Sequence, residues 1–413
     1  MKINIERLMG DIESYARYGS QPGGGVSRTC FSEADFEVRK IFAAELQEIG
    51  LAVEVDAAAN IWGTLAGDGS KNKPIIIGSH LDTVPNGGKF DGALGVLIGK
   101  EIVRTFLEHD QRLRHPLKLV SFTAEEANDF NFATLGSRAL AGKISADDLC
   151  SAENSEGAKL RDAISRAGGN IDKLSPADKN SIAAFFELHI EQGRKLEKQG
   201  LPAGIVDRIV GIYRDVVTVE GEQNHSGTTM MSERRDALAA AGEMVSAVQR
   251  EAKQLQTDAV ATIGKFDVFP NSANIIPGKV EFTLEVRSAD KAERESLARS
   301  IRQTFDAIGA AHGVSVSAKN IYNTQECEFD SSLIGFLKGA AESVGTPYTV
   351  LPSMAGHDAM HIVSLGKAAM LFVKSIGGIS HNPAELSLPE DIEKCANVLL
   401  QAVLLADQEL KDE

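Results

Sequence analysis

Four short polar motifs, each after an apolar run, carry the side chains of this sequence that could do chemistry. The first places His80 and Asp82 after the run Ile75–Ile77, and Asp91 stands eleven residues beyond His80. An imidazole can bind a metal ion through one ring nitrogen while the other donates a hydrogen bond to a carboxylate. Asp91, at the start of a glycine-rich stretch, could bridge two cations with its two oxygens. His-x-Asp alone is more often a hydrogen-bonded turn, so this motif leaves both interpretations open.

The second motif is a pair of adjacent glutamates, Glu125 and Glu126, which follow the apolar run Leu117–Phe122. Two buried neighbouring carboxylates repel each other, and burial raises the cost of keeping both charged. A metal ion on one of them would remove the conflict and leave the other free to carry a proton. Considered alone, the pair is explained equally well as two solvated glutamates in a loop.

Two further histidines lie after apolar runs. His189 follows the run Phe185–Leu188, and His381 comes after the run Ala368–Val373. Each alone could equally be a packed core residue, but open α/β sheets place their ligands at strand ends, where all four motifs fall. The nitrogen and oxygen donors that result are His80, Asp91, Glu126, His189 and His381. This set suits two borderline divalent cations (zinc, manganese, cobalt or nickel) about 3.5–4 Å apart that share Asp91.

The elements that must position these donors alternate between strand and helix. Residues 32–50 carry a helical apolar stripe that Ser32 can cap and Gly50 can end, and the glycine-rich stretch from Gly87 leads into a helix that ends near Leu107. Short continuous apolar runs are typical of strands buried on both faces. The alternation predicts an α/β fold with a mixed, mostly parallel sheet and helices on both faces.

From about Ile212 the pattern changes to three strands, near 213–220, 260–269 and 279–287, separated by two amphipathic helices. We expect an inserted α+β, ferredoxin-like lid domain over residues 212–328, and a catalytic domain formed by residues 1–211 and 329–413. Apolar and polar residues alternate strictly over 280–287, which predicts that the apolar ones face the helices and that Arg287 lies on the open face.

Composition and charge exclude several classes of protein. The chain of 413 residues carries 43 Lys+Arg against 58 Asp+Glu, a net charge of −15, which argues against nucleic-acid binding. No apolar run approaches the ~20 residues that cross a bilayer, and the N-terminal segment lacks the apolar core of a signal peptide. The four cysteines stand far apart without a Cys-x-x-Cys pair, so a disulfide framework is not expected. We therefore expect a cytoplasmic protein with no nucleic-acid and no membrane partner.

The sequence resembles the amidohydrolase (hydantoinase/carbamoylase) branch of the dinuclear aminoacylase/carboxypeptidase (M20-type) family. The shared motifs occur in the same order as in that family and extend over nearly the whole chain. This branch includes N-carbamoyl-L-amino-acid hydrolases, β-ureidopropionases and allantoate amidohydrolases. The motifs that carry the resemblance are Gly78–Val84, Asn86–Gly92, Glu125-Glu126, His189–Gly193, His225–Thr229, Asn274–Pro277, Ala355–Ala359 and Ser380–Glu385.

The resemblance implies a zinc-exopeptidase-like catalytic fold and a role for each donor. One metal ion would take His80, Asp91 and His189. The other would take Asp91, Glu126 and His381. Glu125 would be the general base, and Asp82 would support His80.

The same resemblance implies substrate contacts by Gln192, His225, Asn274, Arg287, Gly356 and His357. Arg287 would bind a substrate carboxylate through its planar fork, whereas a strand arginine without that resemblance is ordinarily a solvated edge charge. His225 and Asn274 would act from the lid, which would also form a homodimer contact. Gln192, Gly356 and His357 would act from the catalytic domain. His361 is interpreted as a packing residue or as a residue that supports a ligand, not as a ligand itself. His109, His115 and His312 are interpreted as solvated surface histidines.

We expect hydrolysis of an N-carbamoyl-L-amino acid to the L-amino acid, carbon dioxide and ammonia. The alternatives among enzymes are allantoate or another ureido acid, and N-acyl amino acids or dipeptides. Gln192, Asn274 and Arg287 together favour the carbamoyl branch over the peptidases of the family, which generally have an acidic ligand at the position of His189. A catalytically silent metal-binding protein is the alternative outside enzymes. Departures from the family pattern at Ala127, Asp129 and Met230 spare the proposed ligands and bear on the pocket for the substrate side chain.

Overall fold

The computed structural model describes residues 1–411 and divides the chain into two units. The first comprises Met1–Asp207, Phe329–Leu351 and the described part of His357–Glu413, and the second comprises Arg208–Glu328 and Pro352–Gly356. Gly356 therefore belongs to the second unit, although the sequence analysis assigned it to the catalytic domain. The catalytic role of residues 1–211 and 329–413 and the lid role of 212–328 stay predictions, and Asp412 and Glu413 lie outside the described residues.

In chain order, the strands of residues 1–411 are β1 (Ala52–Val55), β2 (Ile61–Leu65), β3 (Ile75–His80), β4 (Leu117–Phe122), β5 (Ala184–Ile190), β6 (Ala203–Ile209), β7 (Gly211–Glu220), β8 (Asn224–His225), β9 (Val260–Phe269), β10 (Ile275–Ile276), β11 (Lys279–Ser288), β12 (Ser315–Asn323), β13 (Cys327–Glu328), β14 (Tyr348–Ser353) and β15 (Ala368–Val373).

The α-helices of the same residues are α1 (Ile5–Tyr15), α2 (Glu33–Glu48), α3 (Ala93–Glu108), α4 (Leu135–Leu140), α5 (Ala146–Ser151), α6 (Leu160–Arg166), α7 (Lys195–Gln199), α8 (Ala237–Gln254), α9 (Lys291–His312), α10 (Ser331–Ser343), α11 (Ala359–Ile362) and α12 (Pro389–Glu409). Helix α2 begins where the sequence predicts, because the Ser32 side chain accepts a hydrogen bond from the backbone N–H of Asp35. Within residues 1–411 we find no helix that is both long enough and apolar enough to cross a membrane.

The first unit contains a mixed sheet with the strand order β1-β2-β4-β3-β5-β15-β6. The four central strands β4, β3, β5 and β15 run parallel, and the flanking pairs are antiparallel. Every residue of β3, β5 and β15 is buried, as their continuous apolar sequences predict. Helices α3 and α12 pack on this sheet. The predicted α/β fold with a mixed sheet is confirmed.

Parallel strands bring the predicted donors to one edge of the sheet, because their carboxyl ends lie on the same side. His80 is the last residue of β3, and His189 is the last but one of β5. The glutamate pair follows β4, and His381 follows β15. The fold thus accounts for the convergence of residues that are far apart in the chain.

The second unit contains a four-stranded antiparallel sheet with the order β12-β7-β11-β9. Chain order gives β7, α8, β9, β11, α9 and β12, a ferredoxin-like arrangement. Val280, Phe282, Leu284 and Val286 are all buried with residues of α8 and α9, as their alternation predicts. Strand β12 was not predicted, because it is an edge strand whose residues are nearly all exposed, so it carries no apolar alternation.

Candidate metal centre

The structure brings the five predicted metal ligands together in the first unit, in two groups that share Asp91. The groups are His80, Asp91 and His189, and Asp91, Glu126 and His381, and within each group the donor atoms lie within 4.8 Å of one another. Asp91 Oδ1 is 3.6 Å from His80 Nε2 and 3.2 Å from His189 Nε2. Asp91 Oδ2 is 3.5 Å from His381 Nε2. The two oxygens of one carboxylate face different donor groups, as a ligand that bridges two cations requires.

Backbone carbonyls orient the two buried imidazoles. His80 Nδ1 lies 2.9 Å from the carbonyl oxygen of Asp82, and His189 Nδ1 lies 3.0 Å from that of Ile190. A carbonyl oxygen can only accept, so each Nδ1 carries a hydrogen and each Nε2 faces Asp91. Two nitrogen lone pairs that face a carboxylate repel it unless a proton or a metal cation lies between them. The donor set therefore fits a cation held through Nε2 of both rings.

Neighbouring carboxylates favour positive charge at His189 and His381, whereas burial lowers the pKa of His80. Burial acts to lower the pKa of His189, but Asp91 and Glu187 outweigh burial and raise it to about 9. The hydrogen bond to Glu126 is the main reason that the pKa of His381 is raised to about 9. Divalent cations would supply the same charge and displace these protons, because metal binding deprotonates its histidine ligands.

Glu125 lies beside the donors without belonging to either group. Its Oε2 is 3.7 Å from His80 Nε2. Burial, reinforced by the negative charges of Glu126 and Asp358, raises the pKa of Glu125 well above its ordinary value. A buried carboxyl group with a raised pKa beside metal-ligand candidates is suited to general acid–base chemistry.

The side chain of Asp82, which was expected to support His80, contacts the backbone of Glu125 and Glu126 instead. Its carboxylate is 3.8 Å from His80 Nδ1, beyond hydrogen-bond distance. Instead it accepts hydrogen bonds from the backbone N–H groups of Glu125 (3.3 Å) and Glu126 (3.1 Å). The backbone carbonyl of Asp82 thus orients His80, and its side chain fixes the loop that carries the glutamates. Burial, with the charge of Asp35 next in size, raises the pKa of Asp82 to about 8.

Gly92 allows the loop of Asp91 to lie against His80. Its φ of +64° and ψ of −54° are unfavourable for a residue with a side chain. A Cβ atom at this position would lie 2.2 Å from Cε1 of the His80 ring. Ala124, Gln192 and His381, which lie in or beside the motifs of the site, also have positive φ angles.

Three polar side chains that the sequence analysis did not assign also support the site. Glu187, two residues before His189 on β5, accepts hydrogen bonds from Ser79 Oγ and the Ala359 N–H, both at 2.8 Å. Because residues two apart in a strand point to the same side, a buried glutamate at this spacing from His189 was the available signal. The other two, Ser380 and Glu385, lie within a motif that was recognised without roles for them.

The predicted substrate residues of the first unit lie against metal-site side chains. Gln192 Nε2 donates a hydrogen bond to Asp91 Oδ2 at 2.8 Å. His357 is 2% exposed, and its ring centroid is 4.4 Å from that of His189. Their contacts with substrate stay predictions.

The predicted substrate residues of the second unit form two pairs of neighbours. His225 and Asn274 lie on adjoining chain segments, because His225 pairs with Ile275 across β8 and β10. Arg287 Nη1 donates to the carbonyl oxygen of Met354, two residues before Gly356, at 2.7 Å. Arg287 Nε donates to Glu285 on the same face of β11, also at 2.7 Å. Their roles toward substrate stay predictions.

Besides His357, the described residues include two more buried histidines outside the donor groups, His115 and His361. The prediction of a surface residue is wrong for His115, because its backbone N–H donates to Asp407 of α12 and its Nδ1 lies 2.7 Å from the Lys73 carbonyl. His361 packs as expected, with Nε2 2.9 Å from Thr134 Oγ1.

Comparison with known proteins decides the family. Residues 76–405 match peptidase family M20/M25/M40. The chain belongs to this family. It is 37% identical to the N-carbamoyl-L-amino acid amidohydrolase of Geobacillus stearothermophilus, over 97% of this chain and 98% of that one. It is 33% identical to the allantoate amidohydrolase of Bacillus subtilis, over 95% of each chain. A crystal structure of an amidase of the hydantoinase/carbamoylase family from Burkholderia multivorans matches with a TM-score of 0.90 and 34% identity, over 99% of both chains.

Family membership confirms the predicted resemblance and the predicted enzyme class, a hydrolase of linear amide C–N bonds. The family is one of dinuclear metal enzymes, and the two donor groups of this chain fit two divalent cations.

Proposed function

We propose that this protein hydrolyses the ureido C–N bond of an N-carbamoyl-L-amino acid and releases the L-amino acid, carbon dioxide and ammonia. The observation that carries the proposal is the division of the Asp91 oxygens between two donor groups, with Glu125 beside them. Two relatives that match nearly the whole chain are named for ureido acids. The cations would be two divalent ions (zinc, manganese, cobalt or nickel) held by the five residues of these groups.

When bound, the cations would polarise the ureido carbonyl and lower the pKa of a water molecule from 15.7 towards ~7. Glu125 would take a proton from the attacking water and pass it to the leaving nitrogen. The raised pKa of Glu125 makes its carboxylate a stronger base for this proton. Asp82 keeps Glu125 in place by accepting the hydrogen bond from its backbone N–H.

Residues of the second unit would recognise the substrate. Arg287 would bind the substrate carboxylate with the end of its guanidinium fork, because Glu285 and the Met354 carbonyl hold Nε and one hydrogen of Nη1. His225 and Asn274 would contact the ureido group and the negative charge that develops on its oxygen. We further propose that the enzyme works in the cytoplasm as a homodimer formed through residues 212–328.

A second candidate substrate is allantoate, which is also a ureido acid and which one relative is named for. N-acyl amino acids and dipeptides are a third class. A panel of N-carbamoyl-L-amino acids, their D-enantiomers, allantoate, N-acetyl amino acids and dipeptides, with released ammonia or amine as the readout, separates these candidates. Turnover of dipeptides with none of any ureido acid would overturn the proposal.

Glu125→Gln tests the role of the general base. We expect kcat to fall by about 10²–10⁴ while metal content stays at the wild-type level, because Glu125 is outside both donor groups. Glu54→Gln is the matched control, since Glu54 is exposed on β1 and pairs with Lys118. Near-normal turnover by Glu125→Gln would show that another group takes the proton.

A further inference from the structure

Asp91 Oδ2 is held by two side chains that are not metal ligands in the proposed function. Ser380 Oγ lies 2.9 Å from Asp91 Oδ2 and 3.2 Å from Glu385 Oε2. Gln192 Nε2 donates to the same Asp91 oxygen at 2.8 Å. These contacts occupy the oxygen that faces Glu126 and His381, and they leave the Oδ1 side to the buried histidines.

Glu385 holds the backbone that carries Asp91. Its Oε1 accepts hydrogen bonds from the N–H groups of Phe90 and Asp91, each at 3.0 Å. The Glu385 side chain packs closely against Gly88 of the same loop, since a Cβ atom on Gly88 would be 2.1 Å from Glu385 Oε1. The residue is 5% exposed, so water offers little competition for these bonds. The position of the Asp91 backbone therefore depends on one side chain 294 residues away.

The orientation of the Asp91 carboxylate needs a separate constraint, because the terminal torsion of an aspartate side chain is broad. A bridging carboxylate presents one oxygen to each cation, whereas a rotated one can present both oxygens to the same cation. Each oxygen has two lone pairs. Ser380 and Gln192 both reach Oδ2, and Gln192 Nε2 also lies 3.5 Å from His381 Nε2, on the side of the Glu126 and His381 group. A cation held by that group would replace Gln192 on one lone pair, and the Ser380 hydroxyl on the other would fix the rotation without occupying the metal-binding direction.

We propose that Ser380 and Glu385 are positioning residues that hold Asp91 in the orientation that bridges two cations. Glu385 fixes the loop through two backbone N–H groups, and the Ser380 hydroxyl fixes the plane of the carboxylate through Oδ2. The inference rests on the bridging role of Asp91 in the proposed function. It assigns the two residues to metal binding rather than to substrate contact.

The two residues should have different effects on the two cations. Ser380→Ala should lower the affinity of the Glu126 and His381 group for its cation by about 10–100-fold, because the lost hydrogen bond is to Oδ2. The affinity of the group that contains the buried His80 and His189 should not change. Glu385→Ala should lower the affinity for both cations, because it removes the hydrogen bonds that hold the backbone of Phe90 and Asp91. Ser380→Thr keeps the hydroxyl and should restore binding.

The test is stepwise binding of Co²⁺ to the full-length, chelator-treated protein, followed by calorimetry and by the visible absorption of the bound ion. Ser387→Ala is the matched control, because Ser387 lies in the same segment and is more deeply buried than Ser380, but its hydroxyl donates to the Lys374 carbonyl at 2.8 Å. Thermal denaturation checks that each variant is folded, and Ser380→Ala is the decisive variant if Glu385→Ala does not fold.

Selective loss of the second Co²⁺ in Ser380→Ala, with wild-type behaviour of Ser387→Ala and Ser380→Thr, would support the inference. Two Co²⁺ ions in the wild type and unchanged affinities in Ser380→Ala would overturn the inference alone. Fewer than two Co²⁺ ions in the wild type would overturn the two-cation proposal and the inference with it.

Discussion

Gly92→Ala should abolish metal binding at the His80 group while leaving the fold in place. Gly92 directly follows Asp91 and stands immediately before α3 with φ at +64°. An added Cβ atom would lie 2.2 Å, 2.3 Å and 2.4 Å from three atoms of the His80 ring. His80 is 1% exposed and its Nδ1 is hydrogen-bonded to the Asp82 carbonyl, so the ring has little room to retreat.

The size of the effect follows from these contacts. Raising the shortest distance from 2.2 Å to an ordinary contact of 3.4 Å requires the ring or the loop to move by about 1.2 Å. Metal–nitrogen bonds tolerate about 0.2 Å, so we expect the affinity of the His80 group to fall by at least ~100-fold. Overpacking and the positive φ together should cost about 2–5 kcal/mol of folding free energy.

Metal content after dialysis, measured by elemental analysis, and thermal denaturation check this prediction. Gly242→Ala is the control: it lies inside α8, and a Cβ atom there meets no heavy atom within 4 Å. The control should keep its metals and gain up to ~1 kcal/mol, because alanine favours a helix over glycine. A Gly92→Ala protein with two ions per chain and wild-type affinity would refute the assignment of His80 as a ligand.

Three further substitutions probe the surroundings of the site. Asp82→Asn leaves one acceptor oxygen for the two backbone N–H groups that Asp82 now satisfies, so urea denaturation should show a loss of about 1–3 kcal/mol together with a lower kcat. Arg28→Lys should lower the folding free energy by about 2–4 kcal/mol, because the buried guanidinium donates to the carbonyls of Leu81, Tyr15 and Tyr18. Burial lowers the pKa of His361 to about 3, so the unfolded chain takes up its proton first, and stability should fall by up to ~1.4 kcal/mol per pH unit from about pH 6.5 towards 3. His361→Gln should flatten that dependence, measured by urea denaturation at pH 7 and 5.

Each of these expectations has a contrary result. An unchanged urea midpoint for Asp82→Asn would mean that the glutamate loop is held by other contacts. For Arg28→Lys, wild-type stability would show that water or rearranged backbone satisfies the exposed carbonyls. Equal pH slopes for His361→Gln and the wild type would show that His361 takes up a proton in the folded state as readily as in the unfolded chain.

Local sequence patterns were sufficient to predict the elements that carry the donors and the types of those donors. The continuous apolar run before His80 predicted a strand buried on both faces, and β3 is buried throughout. The strict alternation of β11 predicted its apolar face, and all four apolar side chains are buried. Such patterns are local, because each reflects the periodicity of one element against its own surroundings.

The division of the donors between two groups, and the contacts that hold them, come from the packed fold. Whether Asp91 presents Oδ1 to the buried histidines and Oδ2 to His381 depends on rotations that no spacing records. The contact of Glu385 with the Asp91 backbone joins residues 294 positions apart. Two other contacts also join residues far apart in the chain. The Asp82 carboxylate accepts a hydrogen bond from the Glu125 backbone, and the His115 backbone donates one to Asp407 of α12. Local periodicity reports which face of an element is buried, but hydrogen bonds between distant elements form only when the packed sheet brings their ends together.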